Sequence, residues 1–334
     1  MEYDLDLNLV KSEVKKRNAR RILLQFPEGL RNFAFKISKK IELETGVETL
    51  ISMDPCWGGC DLAEDEALKL NADLLIHFGH SPWPKKPKVP TLFIEARSTI
   101  EVRDVVLKAA NLLNVKKVGV ATTVQHIHRL GEVKNMLEQL GFEVLIGKPL
   151  GKAKYAGQVL GCDLSSVENL DADQFLFIGG GSFHPLGIAL ATGKNVVAAD
   201  PYSGKVVDVK EEAKKVLMQR YAQISKARNA TKFGVVIGLK FGQTNLELGR
   251  RIKDKIESKG KDAYLLAANE ITPERFYGLD IEALVITACP RIAIEDGPQF
   301  RIPVLTSKEL ELLLDPNWGK HTQNSLDNYK FKFI

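Results

Sequence analysis

The stretch DPCWGGCD, residues 54–61, separates Cys56 from Cys60 by Trp57, Gly58 and Gly59. The chain's other two cysteines stand far away, Cys162 in QVLGCD and Cys289 in TACPR. Thiolates select zinc, copper(I) or iron–sulfur clusters. The close pair leaves three readings open: a metal knuckle, a redox pair, or one working thiol beside a bystander. A single free cysteine is most often inert packing, so the case for chemistry rests on a set. Cys60, Cys162 and Cys289 form that set, because each falls at the end of a strand-like run or in the loop after one, and glycine or proline flanks each one. Glycine lets backbone approach a bulky ligand, and proline stiffens the turn behind a sulfur. From the residues alone this is a candidate three-thiolate metal site fed by three distant loops, with the metal undecided.

The elements that must position these thiols alternate between β-branched runs and amphipathic stretches, the pattern of βα units in parallel sheets. The pattern restarts twice. Strand-like runs are expected at 20–26, 47–52, 72–80 and 89–96, then at 116–123, 142–147, 173–181 and 195–200, and finally at 232–240, 262–268, 282–290 and 302–306. This reads as an α/β protein of three similar blocks, 1–112, 113–204 and 205–314. A basic linker helix within 205–228 opens the third block, and a tail follows at 315–334. The alternative is one doubly wound sheet, which twelve strands would strain. In parallel sheets ligands collect beyond the carboxyl ends of the strands. Cys60 and Cys162 each follow the second strand of their block, whereas Cys289 comes at the end of the third.

Composition narrows the classes. With 334 residues, 44% hydrophobic and 27% charged, the chain is ordinary globular material. Four cysteines make no secreted disulfide framework, and the N-terminus lacks the apolar core of a signal peptide. A cytoplasmic protein with reduced thiols is expected. No run approaches the roughly 18 apolar residues of a membrane span. The net charge of +5 is spread over helix-like stretches and reads as a solvated surface, not as a nucleic-acid footprint.

The segments PEGL, WGGCD, LIHFGHS, TTVQHIH, GQVLGCD, FIGGGSFHPLG, DPY and ACPR, in that order, resemble the archaeal form of the 2-(3-amino-3-carboxypropyl)histidine synthases, which catalyse the first step of diphthamide biosynthesis. The resemblance implies three α/β domains with parallel-type sheets in a triangular pseudo-threefold arrangement, and a homodimer. It also implies a four-iron four-sulfur cluster held by Cys60, Cys162 and Cys289. The family's ligand in the first domain is the cysteine followed by an acidic residue, so Cys60 binds and Cys56 is an addition to the pattern. Three thiolates leave one iron open to S-adenosylmethionine. Reductive cleavage would then give methylthioadenosine and a 3-amino-3-carboxypropyl radical, which adds to a histidine imidazole of translation elongation factor 2. The segment CWGGCDL lacks the third cysteine of the CxxxCxxC motif found in ordinary radical enzymes of this cofactor.

For the cofactor pocket the loops QFPEGLR, TTVQHIHRL and GGGSFHPLG are expected to supply Glu28, Gly29, Gln125, His126, Gly180, Gly181 and His184. Glycine runs at strand ends leave backbone N–H groups free for an anionic group. Each histidine also has a purely structural reading. Quinolinate synthase-like chemistry on a similar three-domain frame is one rival to this reading. A zinc-stapled binding module without enzymatic activity is the other.

Overall fold

The computed structural model describes residues 2–316. In the first block the strands are β1 (Tyr3–Asp4), β2 (Arg21–Gln25), β3 (Glu48–Ile51), β4 (Leu74–Phe78), β5 (Thr91–Ile94) and β6 (Arg97–Ser98). The second block holds β7 (Lys117–Thr122), β8 (Glu143–Leu145), β9 (Gln174–Ile178), β10 (Asn195–Asp200) and β11 (Lys205–Asp208). The third holds β12 (Lys232–Gly238), β13 (Asp262–Ala268), β14 (Ala283–Ile286) and β15 (Val304–Thr306). Every strand-like run expected from the sequence contains one of these strands.

They form three separate sheets with one internal order: β3-β2-β4-β5, β8-β7-β9-β10 and β13-β12-β14-β15. Pairing within each of these quartets is parallel throughout. The order second-first-third-fourth recurs because each block repeats the same βα sequence. Helices cover both faces, and so β4 and β9 are buried along their whole length. Outside the quartets, β1 and β6 pair in a small antiparallel ribbon.

One departure from the sequence reading lies at 205–208, which was assigned to the basic linker. Those residues are β11, antiparallel to β10, because the chain turns back through DPYSG and its two valines extend the second sheet. The linker helix itself is Lys210–Ala227. Its first half buries Ala213 and Leu217 in the core beside β9 and β10, and its last turn buries Ile224 and Ala227 in the core beneath β12 and β14. Fully burying a side chain such as Ile224 stabilises by about 1.5–3 kcal/mol. Between the two cores Arg220 is 2% exposed and clamps Glu309, which is fully buried, at 2.7 Å. Arg220 also donates to the Val304 carbonyl at 2.6 Å and to the Ala293 carbonyl. Glu309 closes the capping box that starts helix Ser307–Leu313 on Thr306. Most of the expected tail, from residue 317 onward, lies outside the described residues.

Candidate metal centre

The strands end toward a common centre, and the loops beyond their carboxyl ends tie the blocks together pairwise. Between the first and second blocks, Gln125 Nε2 donates to the Gly79 carbonyl at 2.6 Å and Gln158 Nε2 to Ser81 Oγ at 3.0 Å. Between the first and third, the Gly242 N–H donates to the Cys60 carbonyl at 2.7 Å and Lys85 Nζ to the Phe241 carbonyl at 2.6 Å. The second and third meet where the Arg291 guanidinium stacks on the Phe183 ring, 4.8 Å from its centroid.

At this junction lie two adjoining cavities of about 200 and 190 Å³, and Cys60, Cys162 and Cys289 line both. Cys60 comes from the loop after β3, Cys162 from the loop after β8, and Cys289 from the loop after β14. All three thiols are free. Burial pushes each one's pKa up, Cys162 to about 11 and Cys289 to about 12. The neighbouring sulfurs also raise the pKa of Cys162 and Cys289, since one thiolate disfavours the next. A bound cation reverses that penalty, which is the physical sense of crowding three thiols here.

The aspartates that follow two of the cysteines fix the loops. Asp61 is buried and ion-paired to Lys240 at 2.7 Å, while Lys240 also meets Glu270 at 2.6 Å. Asp163 accepts from the backbone N–H groups of Lys152, Ala153 (2.7 Å) and Ser165 (3.0 Å). That turn brings Lys152 over the Trp83 ring, 5.2 Å from its centroid, at the edge of both cavities. Gln243 Nε2 donates to Cys60 Sγ at 3.5 Å, and the nearby Arg291 backbone N–H offsets part of the upward push on the Cys289 pKa. Glycine is required at 242, where a Cβ would stand 2.7 Å from Cys60 Cβ and 2.5 Å from Trp83 Nε1. A side chain at Gly161 would overlap the Phe183 ring.

Of the residues expected in a cofactor pocket, Gln125 and His184 line the cavity that also holds His80, Phe183 and Arg291. His184 stacks on Phe177 with ring centroids 5.8 Å apart, and burial drives its pKa down to about 4. His126 is buried against Tyr202, with centroids 5.3 Å apart, and neither ring nitrogen has a hydrogen-bond partner among the described residues. Glu28, Gly29, Gly180 and Gly181 are exposed and do not line either cavity. Lys152, Trp83, Gly242, Gln243 and Arg291 escaped the sequence reading. A glycine in the loop just past a strand, Gly242 in GLKFGQT, and a cation next to Cys289-Pro290 are the available signals.

Cys56 is elsewhere. It is buried and lines neither cavity; its sulfur lies near His77 and His80.

Three parallel α/β sheets each deliver one thiol to a shared cavity, a donor set that suits a thiolate-bound metal centre. Residues 26–323 match the model of the diphthamide synthesis protein family, and the chain belongs to that family. It is 39% identical to 2-(3-amino-3-carboxypropyl)histidine synthase of Pyrococcus horikoshii, over 94% of this chain and 91% of that one. Identity is 30% to 2-(3-amino-3-carboxypropyl)histidine synthase subunit 1 of Schizosaccharomyces pombe, over 92% of this chain and 72% of that one. A crystal structure of Dph2 from Pyrococcus horikoshii with a 4Fe-4S cluster superposes with a TM-score of 0.89 at 36% identity, covering all of this chain and 94% of that one. Among the described residues no helix is long and apolar enough to cross a membrane.

Proposed function

We propose that the chain is a transferase of diphthamide biosynthesis that makes 2-(3-amino-3-carboxypropyl)histidine from S-adenosylmethionine and a histidine of translation elongation factor 2. The observation that carries this reading is the convergence of Cys60, Cys162 and Cys289 on one cavity, in a chain of this family. Free thiols from three loops, with no fourth cysteine in the cavity lining, fit a four-iron four-sulfur cluster with one iron lacking a protein ligand. When bound, the cluster supplies the electron that breaks the bond between the sulfonium and the aminocarboxypropyl carbon.

The protein's part is positioning. Gln243 places a hydrogen bond on the Cys60 sulfur, a device that tunes cluster potential. Lys152 and Arg291 are cations of the cavity wall suited to a methionine carboxylate. Gln125 is anchored through its amide N–H, its Oε1 has no hydrogen-bond partner among the described residues and can accept from an ammonium, and the neutral His184 offers a second polar contact. Which of three similar carbon–sulfur bonds breaks depends on this orientation. The remaining pocket candidates lie away from the cavity lining, so the proposed cofactor pocket rests on Gln125 and His184.

In the same reading the three quartet sheets are the cores of three domains, the molecule is a cytoplasmic homodimer, and nucleic acid and membrane are not partners. The test is anaerobic incubation with elongation factor 2, labelled S-adenosylmethionine and dithionite. Methylthioadenosine should form, and carboxyl label should enter the protein. Dominant 5′-deoxyadenosine, or methyl label in the protein, would sink the reading. Alanine at Cys60, Cys162 or Cys289 should deplete iron, whereas Cys56→Ala should keep it. Loss of the cluster in Cys56→Ala, with Cys60→Ala unaffected, reverses the ligand assignment.

A further inference from the structure

Cys56 has no place in the three-thiol centre, yet its surroundings are not those of an inert packing residue. Its sulfur and one ring nitrogen from each of His77 and His80 lie within 4.8 Å of one another. Cys56 opens the loop that carries Cys60, while His77 and His80 stand at the carboxyl end of β4. His77 Nε2 is 2.9 Å from His80 Nδ1. A tetrahedral zinc ion, with bonds of about 2.0–2.1 Å to nitrogen and about 2.3 Å to sulfur, holds its nitrogens about 3.4 Å apart and nitrogen from sulfur about 3.6 Å. From the observed arrangement the nitrogens must part by about 0.5 Å, and the sulfur, at most 4.8 Å from either, must stand about 3.6 Å from each.

The orientation of His77 is built, not incidental. Gln25 lies directly across from His77 in the β2–β4 register. Its Nε2 donates to the Asp61 carbonyl at 2.7 Å, and its Oε1 accepts the Ala63 N–H at 3.1 Å. These two bonds decide which end of the amide is oxygen. Since Oε1 also faces His77 Nδ1 at 2.8 Å, Nδ1 must carry the hydrogen. The tautomer makes Nε2 the acceptor of the 2.9 Å bond from His80 Nδ1–H, so a metal ion takes the two facing lone pairs once the His80 hydrogen moves to its own Nε2. A carbonyl oxygen that holds the far N–H of an imidazole is the usual outer support of a metal-bound histidine. All of Gln25, Cys56 and His77 are buried, and burial keeps both imidazoles neutral.

We propose that Cys56, His77 and His80 form a second metal site, separate from the three-thiol centre, which binds one zinc ion with water in the fourth position. One thiolate and two imidazoles form a borderline-soft donor set that suits zinc. Binding expels the Cys56 proton to solvent, and the resulting thiolate shares the ion's charge. The ion ties the start of the 52–63 loop to the end of β4 and so limits how far the Cys60 loop can move. His80 lines the cavity that Cys60, Cys162 and Cys289 also line. The two centres are therefore neighbours with different ligands.

The experiment is metal analysis of the protein with its cluster assembled anaerobically, after exposure to Zn²⁺ and removal of the excess. About one zinc per chain should accompany the iron. It should disappear in Cys56→Ser and in His80→Gln, and persist in Cys162→Ala, which loses iron. Replacing zinc with Co²⁺ in the wild-type protein should produce a thiolate-to-cobalt charge-transfer band and intense tetrahedral visible bands. This spectrum decides the matter even if a variant fails to fold. Cluster-loaded protein that takes up neither zinc nor cobalt overturns the proposal, as does zinc that vanishes with Cys162 and survives loss of Cys56. Iron content and transferase activity are read separately, so failure here leaves the reading of the three-thiol centre standing.

Discussion

Gly242→Ala tests whether the third block holds Cys60 in place. The added Cβ would stand 2.7 Å from Cys60 Cβ, 2.5 Å from Trp83 Nε1 and 2.7 Å from Trp83 Cε2. Carbon atoms in ordinary contact sit about 3.5–4.0 Å apart, so roughly 0.8 Å or more must be found. Trp83 can swing aside because only its side chain is involved. Cys60 Cβ is rooted in backbone that is bonded to Gly242 itself, through its carbonyl at 2.7 Å, and it moves only if the loop moves. A metal site tolerates ligand displacements of about 0.2 Å, so the required shift is several-fold too large. Overpacking of this kind costs about 1–3 kcal/mol. If the strain falls on the loaded state, the cluster should be lost to a chelator with an affinity reduced about 5- to 150-fold. The assay is iron and sulfide per chain, with absorbance followed under anaerobic chelator challenge. Gly131→Ala is the control, since a Cβ there has nothing within 4 Å. Wild-type iron retention in Gly242→Ala, at unchanged thermal stability, would refute the claim that close backbone approach at 242 positions Cys60.

Arg220→Met should destabilise the protein by about 3–5 kcal/mol, because it leaves Glu309 buried without its partner; pairing it with Glu309→Leu should recover part of the loss, as read by denaturant unfolding. Lys240→Met strands the Asp61 carboxylate beside Cys60 and should lower both the unfolding midpoint and iron per chain; an unchanged iron content would mean that the loop is held without the ion pair. Gln243→Leu removes the N–H donated to Cys60 Sγ and should move the cluster potential to more negative values, measured by a spectroscopic redox titration, with iron content retained.

Periodicity and composition carry most of the architecture. Strands such as LLIHF at 74–78 and QFLFI at 174–178 are near-continuous apolar runs, broken only by His77 and Gln174, as expected of parallel strands covered on both faces. Their recurrence in three blocks makes three similar sheets legible in the sequence. The run KVVD at 205–208 was missed because four residues after a turn, directly ahead of a long basic helix, carry too short a pattern; only pairing with β10 makes them a strand. Among the cysteines, sequence placed Cys60 and Cys162 in loops after strands and Cys289 at a strand's end, since strand ends are local features.

Convergence is not a local property. That the three thiols line the same cavities follows from how three sheets dock, through contacts such as Gln125 with Gly79, Gly242 with Cys60, and Arg291 with Phe183, each made between residues far apart in the chain. The same docking brings Lys152 and Gln243 to the sulfurs and leaves Glu28 and Gly180 exposed, although all four stand in loops of similar composition. It also separates the two cysteines of CWGGC. Four positions apart on the chain, they face different partners: Cys60 faces the cavity shared by the three blocks, and Cys56 faces His77 and His80 behind it. Spacing sets how far apart two sulfurs can be, but the direction in which each points is set by what packs around the loop.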